Sequence, residues 1–120
     1  DYPRAESVML KVVELAPDRG SYWITLGSVR KRLGNAGGTK EAYQRALRAF
    51  ENEAKLRDTD SDPWLKQIYV LALLGRVDDG RKLVEKMTRQ FPDDRDARVF
   101  VEDKQFEQML ADTQFKERAL

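Results

Sequence analysis

Two short segments of the chain contain residue types that bind ions in other proteins. The first, Asp58-Thr59-Asp60-Ser61-Asp62, resembles the start of a calcium-binding loop, in which alternating oxygen ligands surround the ion. Such a loop also needs a glycine directly afterwards for its sharp turn, and a bidentate glutamate at its twelfth position. Pro63 and Tyr69 stand at those two positions here. We therefore expect residues 58–62 to be a solvated connector that ends in a helix N-cap, and we expect no metal site.

The second segment, residues 34–40 (GNAGGTK), contains glycines, a threonine and a lysine, as phosphate-binding loops do. Its spacing differs from G-x-x-x-x-G-K-[ST], and no strand precedes it. We interpret it as a flexible turn between two helices. The densest basic run, Arg30-Lys31-Arg32, lies just before it. We interpret this run as a solvated helix end, where cations interact favourably with the helix dipole, rather than as a nucleic-acid contact.

The remaining reactive groups do not form a recognisable catalytic arrangement. Neighbouring carboxylates occur at Glu51 and Glu53 and at Asp93 and Asp94, and we expect them to keep the surface soluble. No serine or lysine has the context of an activated nucleophile. The chain has no cysteine and no histidine, which excludes thiol nucleophiles, disulfides and Cys/His zinc sites. We predict that the chain is not an enzyme and takes no cofactor.

The charge balance and the lengths of the apolar runs limit the classes of partner that the chain can bind. The 120 residues suffice for one domain, and 22 basic against 21 acidic side chains give a net charge of +1. A nearly neutral chain is not a dedicated polyanion binder, so no nucleic-acid partner is predicted. No apolar run approaches the length of a membrane span, so no membrane insertion is predicted. We expect a soluble protein, and its lack of cysteine is compatible with either cytoplasm or periplasm.

Helical periodicity runs through the whole chain, and strand-like alternation is absent. Tyr22, Leu26, Val29 and Leu33 form one apolar stripe, with Ser21 as predicted N-cap and Gly34 as the left-handed residue after the helix. The following stripes predict four more helices. They are a helix over 39–57 with Thr39 as N-cap, one from Asp62-Pro63 to Leu74, one from Val77 to Phe91, and one over 5–15. Residues 97–115 predict one long helix or two. The fold class predicted is all-α.

Landmark residues recur along the chain in a common frame. Trp64 follows Trp23 at the same interval at which Gly75 follows Gly34, and Pro17 and Pro92 fall in that frame as well. Two periods of about 34 residues with seven extra residues account for these spacings. Seven residues are close to two helical turns, so the helix over 39–57 can lengthen without turning its apolar face. We predict that it protrudes from its neighbours.

These landmarks resemble the tetratricopeptide repeat, a helical hairpin of about 34 residues with the approximate pattern W-x2-L-G-x2-Y, A-x3-F-x2-A and a final Pro. The resemblance implies a right-handed α-solenoid of antiparallel helix pairs with a C-terminal capping helix or helices. Its units are a half repeat over 1–19, a repeat with about seven extra residues over 20–60, a repeat over 61–94, and a cap or degenerate repeat over 95–120. The residues assigned to repeat positions are Ala5, Pro17, Trp23, Leu26, Gly27, Gly34, Tyr43, Ala46, Trp64, Gly75 and Pro92.

The same resemblance implies a non-catalytic module that binds a protein or peptide in a concave groove and forms part of a larger protein. The groove residues that it implies are Ile24, Thr25, Ser28, Lys31, Leu65, Lys66, Tyr69 and Ala72. An alternative for Leu65 and Tyr69 is that they pack against the chain's own tail. The alternative function is self-association, as in a homodimer, or structural capping within a larger protein.

Overall fold

The computed structural model describes residues 1–120 and contains eight α-helices and no β-strand, which confirms the all-α fold class. The helices are α1 (Tyr2–Leu15), α2 (Gly20–Arg32), α3 (Ala36–Leu56), α4 (Asp62–Leu73), α5 (Val77–Gln90), α6 (Arg95–Glu102), α7 (Gln105–Ala111) and α8 (Thr113–Arg118). Each helix packs against the next one along the chain. None of them is both long and apolar enough to cross a membrane.

Two glycines let α2 lie close against α3. A Cβ atom placed on Gly27 would overlap the ring of Tyr43, and one placed on Gly20 would overlap the ring of Phe50. The two glycines are seven residues apart along α2, and the two aromatic residues are seven residues apart along α3. The earlier glycine meets the later aromatic residue, so the two helices run in opposite directions. The pairing therefore fixes α2 and α3 as an antiparallel pair in one register. Ala46 lies fully buried between the two rings along α3.

Glycine also ends α2 and α4, in the same conformation each time. Gly34 and Gly75 both have φ +77°, in the left-handed region that glycine adopts without a steric penalty. After α2, the Gly34 N–H donates to the Lys31 carbonyl and the next N–H donates back to the Arg30 carbonyl. The hydrogen bonds after α4 are equivalent. This is the Schellman pattern, so the predicted left-handed residue at Gly34 is confirmed.

The turns that follow α1, α3 and α5 also share one geometry. The residues directly after these helices, Ala16, Arg57 and Phe91, have φ between −136° and −122° and ψ between 61° and 66°. The interval from Ala16 to Arg57 equals that between the two tryptophans, and Phe91 follows Arg57 by one period of about 34 residues. The chain therefore repeats its local structure at the period that its tryptophans and prolines indicate.

Residues of these turns contact neighbouring helices and one another. The Trp23 indole N–H donates to the Pro17 carbonyl at 2.9 Å, and Trp64 packs edge-on against Phe91 with centroids 5.4 Å apart. The Ser61 hydroxyl donates to the Asp94 carboxylate at 2.7 Å. A hydrogen bond from the Ala97 N–H, and then that of Ser61, lower the pKa of the Asp94 carboxyl.

Several predicted helix starts differ from the observed ones by a few residues. Helix α2 begins at Gly20 rather than after Ser21. Helix α3 begins at Ala36, because the Asn35 side chain accepts the Gly38 N–H and replaces Thr39 as N-cap. The predicted flexible turn over 34–40 is thus mostly helix.

The later boundaries differ as well. Helix α4 includes Asp62 as its first residue, and Ser61 takes the N-cap position. The region after Pro92 forms three short helices rather than one or two. Lys104, with φ 52°, breaks the run after α6, and Asp112, which is extended, breaks it after α7.

Helix α4 lies at the centre of the core. Residues on every side of it are buried, as in a helix that neighbours enclose completely. Its buried residues are Pro63, Gln67, Ile68, Val70, Leu71, Ala72 and Leu73. Helices α3 and α5 pack on two sides of it, and residue 120 forms a backbone hydrogen bond with it.

Replacing Gly27 with alanine tests the packing of α2 on α3. We expect Gly27→Ala to lower the free energy of unfolding by about 1–3 kcal/mol, because the added methyl group overlaps the Tyr43 ring. The matched control is Gly37→Ala, a helical glycine with open space around its Cβ position, which should be neutral or stabilising by up to about 1 kcal/mol. Urea unfolding measures both. Equal stability of the two variants would contradict the close approach.

Candidate functional site

The residues predicted to line a groove lie along α2 and α4, and we call the surface that they form the α2–α4 groove. Ile24, Thr25, Leu65 and Lys66 lie in the amino-terminal halves of the two helices, and Ser28, Lys31, Tyr69 and Ala72 lie in the carboxyl-terminal halves. Thr25 is exposed, Ala72 is buried, and the other six are half-buried.

Residues 113–120 of the same chain lie against the carboxyl-terminal half of this groove, and we call them segment 113–120. The Lys31 ammonium donates a hydrogen bond to the Ala119 carbonyl. The Leu120 N–H donates to the Leu73 carbonyl at 2.9 Å. Both bonds involve main-chain atoms of the segment, so they do not depend on which side chains the segment carries.

Tyr69 supplies the side-chain contacts of the groove with the segment. Its ring lies edge-on to that of Phe115, with centroids 6.0 Å apart and an interplanar angle of 64°. Its hydroxyl accepts a hydrogen bond from the Arg118 guanidinium at 3.3 Å. Tyr69 thus packs against the chain's own tail, which is the alternative raised by the sequence.

Tyr43 reaches the segment from beneath the groove. Its hydroxyl donates to the Arg118 carbonyl at 2.7 Å and lies 3.3 Å from the Ser28 hydroxyl, which is placed to donate to it. Burial of the Tyr43 phenol raises its pKa above the usual value of 10, since the charged form is poorly solvated there. Ser28, one of the predicted groove residues, therefore contacts the segment only indirectly, through the Tyr43 hydroxyl.

Local sequence explains the shape of segment 113–120. The Asp112 carboxylate accepts the Phe115 N–H at 3.0 Å and caps the start of α8. Phe115 is buried, whereas its neighbours in α8 are exposed. Ala119 is extended, with φ −68° and ψ 149°, so the last two residues run as a strand-like end against α2 and α4. The segment therefore consists of about one and a half helical turns followed by two extended residues.

The basic run at the end of α2 has specific partners rather than only solvent. Arg30 pairs with Glu6 of α1 at 3.2 Å and also donates to the Gly38 carbonyl. Arg32 donates to the Tyr2 hydroxyl at 2.9 Å and lies 3.8 Å from the Glu117 carboxylate. Together with Lys31, these residues connect α1, α3 and segment 113–120 to the end of α2. These partners lie too far along the chain for the sequence pattern to identify them.

Lys66 lies apart from this contact region. Its ammonium pairs with the Asp62 carboxylate at 3.0 Å and lies over the Phe50 ring, 5.8 Å from the centroid. It faces a cleft at the edge where α2 begins and α3 ends. Lys66 and Tyr69 therefore line different clefts, although the resemblance implies one groove for both.

The segments that suggested ion chemistry have structural partners. Asp60 pairs with Arg57 and accepts the Asp62 N–H. Glu53 also pairs with Arg57, and Asp94 caps α6. No group of three or more metal-binding side chains comes together.

What the α2–α4 groove offers is hydrogen bonds to a peptide main chain and one aromatic contact.

No family model matches this chain, and neither a curated protein nor a solved structure matches it.

Replacing Tyr43 with phenylalanine tests its link to segment 113–120. We expect Tyr43→Phe to lower the free energy of unfolding by about 1 kcal/mol, because the Arg118 carbonyl loses its donor. Amide hydrogen exchange at Leu120 should also become faster. The matched control is Tyr22→Phe, since the Tyr22 hydroxyl makes no hydrogen bond within the chain and lies elsewhere on α2.

The raised pKa of Tyr43 also predicts an alkaline effect. A tyrosine whose folded pKa is raised contributes stability that is complete below its unfolded pKa of about 10 and is lost as pH rises through the folded pKa. Tyr43→Phe removes this contribution, so its stability should fall less steeply than that of the parent chain above pH 10. Parallel curves of stability against pH would contradict the assignment.

Proposed function

We propose that the chain is a non-catalytic protein-interaction module of the tetratricopeptide-repeat type, which binds a peptide in the α2–α4 groove. In this proposal its helix pairs form a right-handed α-solenoid, and segment 113–120 occupies the groove as an internal ligand. The partner is a protein or peptide.

The repeated turns support the solenoid part of the proposal. The φ and ψ angles recur after α1, α3 and α5, and the same glycine conformation recurs after α2 and α4. Each helix also packs on its neighbours along the chain. Stacked helical hairpins bury their apolar faces in this manner, because one hairpin alone leaves a face uncovered.

The main-chain contacts of segment 113–120 are the observation that carries the binding proposal. Lys31 and Tyr43 donate to two consecutive carbonyls, those of Ala119 and Arg118, and the Leu73 carbonyl accepts the next N–H. Three main-chain groups in a row are therefore satisfied by the groove. Such contacts suit any peptide in this conformation, and the Tyr69 ring adds a preference for an aromatic side chain.

Segment 113–120 is also the kind of element that opens locally. Its helix is six residues long, and Asp112 alone separates it from α7. One buried aromatic residue and a few hydrogen bonds hold it, each bond contributing about 0.5–1.5 kcal/mol. Elements with so few contacts open at a smaller free-energy cost than the whole domain. A partner peptide can thus exchange with the segment while α1 to α5 stay folded.

Structural capping is the second candidate function, and the burial of α4 favours it. Leu73 and Ala72 are almost fully buried on the side where the segment lies, and no buried polar side-chain atom lacks a partner. In this alternative the segment permanently completes the core. The two candidates differ in whether α4 stays folded when the segment leaves.

Self-association is the remaining alternative, and α1 is the surface that favours it. Its residues Val8, Leu10 and Leu15 are 54%, 43% and 86% exposed. Light scattering over a range of concentrations tests this alternative. A constant monomer mass would contradict it.

A peptide added in trans tests the binding proposal. The probe is a labelled peptide with the sequence of residues 112–120, and the receptor is the full chain with Phe115→Ser, which weakens docking of its own segment. We expect the variant to bind the probe at least about tenfold more tightly than the parent chain. In the parent, the tethered segment competes at an effective concentration of the order of millimolar.

Two controls accompany this measurement. Lys116→Ser changes an exposed neighbour in α8 and should leave the parent behaviour unchanged. A probe with serine in place of its phenylalanine should bind poorly. If Phe115→Ser loses its helical circular dichroism, or stays folded without binding the probe, the segment is a structural cap and the binding proposal is wrong.

A further inference from the structure

A second concave surface lies beyond the amino-terminal end of the α2–α4 groove, where α2 begins and α3 ends, and it shares Lys66 with that groove. It is a cleft of about 600 Å³ between the turn after α1 and the carboxyl-terminal half of α3. We call it the basic cleft. Its cations are Arg19, Arg45, Arg48, Arg57 and Lys66.

The unequal lengths of α2 and α3 create this cleft. Gly20, the first residue of α2, packs opposite Phe50, so residues 51–56 continue beyond the start of α2. Six helical residues extend about 9 Å. The overhang leaves one side of α3 uncovered, and the turn after α1 forms the opposite wall.

The charges of the basic cleft are unbalanced. Arg57 is paired with Glu53 and with Asp60, and Lys66 is paired with Asp62. The other three cations, Arg19, Arg45 and Arg48, form no ion pair within the chain, and Asp18 is the one unpaired acid of the lining. On a chain with a net charge of only +1, this concentrates positive charge at one concave surface.

One of these cations is held in place by an aromatic ring. The Arg45 guanidinium lies over the Trp23 ring, 5.3 Å from its centroid, and this cation–π contact orients it at the cleft. Arg48 follows one turn later on the same face of α3. An anionic partner therefore meets two guanidinium groups, one of which is already oriented.

Apolar side chains line the same cleft. Leu56, at the end of the overhang, is 86% exposed, and Tyr22 is 39% exposed. Neither side chain is fully buried by packing within the chain. A ligand that fits here combines negative charge with an apolar side chain.

We propose that the basic cleft binds an acidic peptide segment of a partner protein, whose carboxylates pair with Arg19, Arg45 and Arg48 and whose apolar side chain packs on Leu56 and Tyr22. A nucleic acid fits less well. Stacking of successive bases needs several open aromatic faces, whereas Tyr22 is the one exposed aromatic ring of this cleft, since Trp23 is only 9% exposed and lies under Arg45. No residue of segment 113–120 lines this cleft, so the site does not depend on whether the segment occupies the carboxyl-terminal half of the α2–α4 groove.

Peptide titration tests the proposal on the intact chain. The probe is a short peptide of glutamate, aspartate and leucine, and the matched probe has glutamine and asparagine in place of the acids. Amide chemical-shift mapping should place the acidic probe at residues 17–23 and 45–57 and leave Tyr69 and Leu73 unchanged. Added salt should weaken the binding, since the pairs lie at the surface.

Charge reversal on α3 provides the matched variants. We expect Arg48→Glu to weaken binding of the acidic probe by about tenfold, or about 1.4 kcal/mol. Lys40→Glu makes the same charge change on an exposed residue of the same helix, about 12 Å away along its axis, and should leave binding unchanged. Leu56→Ser should weaken binding about threefold without altering stability, because that side chain is exposed.

Four outcomes would overturn the proposal. One is an equal loss of affinity with Lys40→Glu and Arg48→Glu, which indicates diffuse charge rather than a site. Another is equal binding of the neutral and acidic probes. A third is displacement of the acidic probe by single-stranded DNA at lower concentration, which assigns the cleft to nucleic acid. The last is no shift at residues 17–23 and 45–57 with the acidic probe.

Discussion

Tyr43 connects the packing of the helices with the surface of the molecule. Its ring fills the space that Gly27 leaves, which fixes the distance and register of α2 on α3. Its hydroxyl lies at the base of the α2–α4 groove, between Ser28 and the Arg118 carbonyl. Because one rigid side chain makes both contacts, the position of segment 113–120 depends on how closely α2 approaches α3. The fold and the candidate site therefore share one constraint.

Local signals in the sequence are sufficient to predict the first five helices and two of the glycines that end them. Gly34 and Gly75 end helices because a left-handed residue is needed there, and glycine takes that conformation freely. The apolar stripes predicted α1 to α5 because helical periodicity is a short-range property. Helix starts were less accurate, since serine, threonine, asparagine and aspartate compete as N-caps. Asn35 caps α3 where Thr39 was expected, because its carboxamide reaches the Gly38 N–H.

The candidate site was harder to predict, because its contacts join residues far apart in sequence. Lys31 and Ala119 are 88 residues apart, and Tyr43 and Arg118 are 75 apart. Nothing in the local pattern around Arg30-Lys31-Arg32 distinguishes a solvated basic end from one whose side chains bind three separate segments. Likewise, the break at Lys104 places a non-glycine residue in the left-handed region, which no helix-ending signal in the sequence indicated. Tertiary contacts determine the first of these features.

The length of α3 explains why one helix contributes to both the α2–α4 groove and the basic cleft. At about 100° per residue, seven added residues turn a helix by nearly two full turns, so the face that carries Tyr43 and Phe50 keeps its direction. An insertion of five residues would turn the later part by about 140° and would aim Phe50 away from Gly20. Because the face is preserved, the inner half of α3 packs as one continuous surface. The added length instead appears as the overhang, where Leu56 has no partner from α2. Leu56, together with Arg48 just before the overhang, remains available to another molecule.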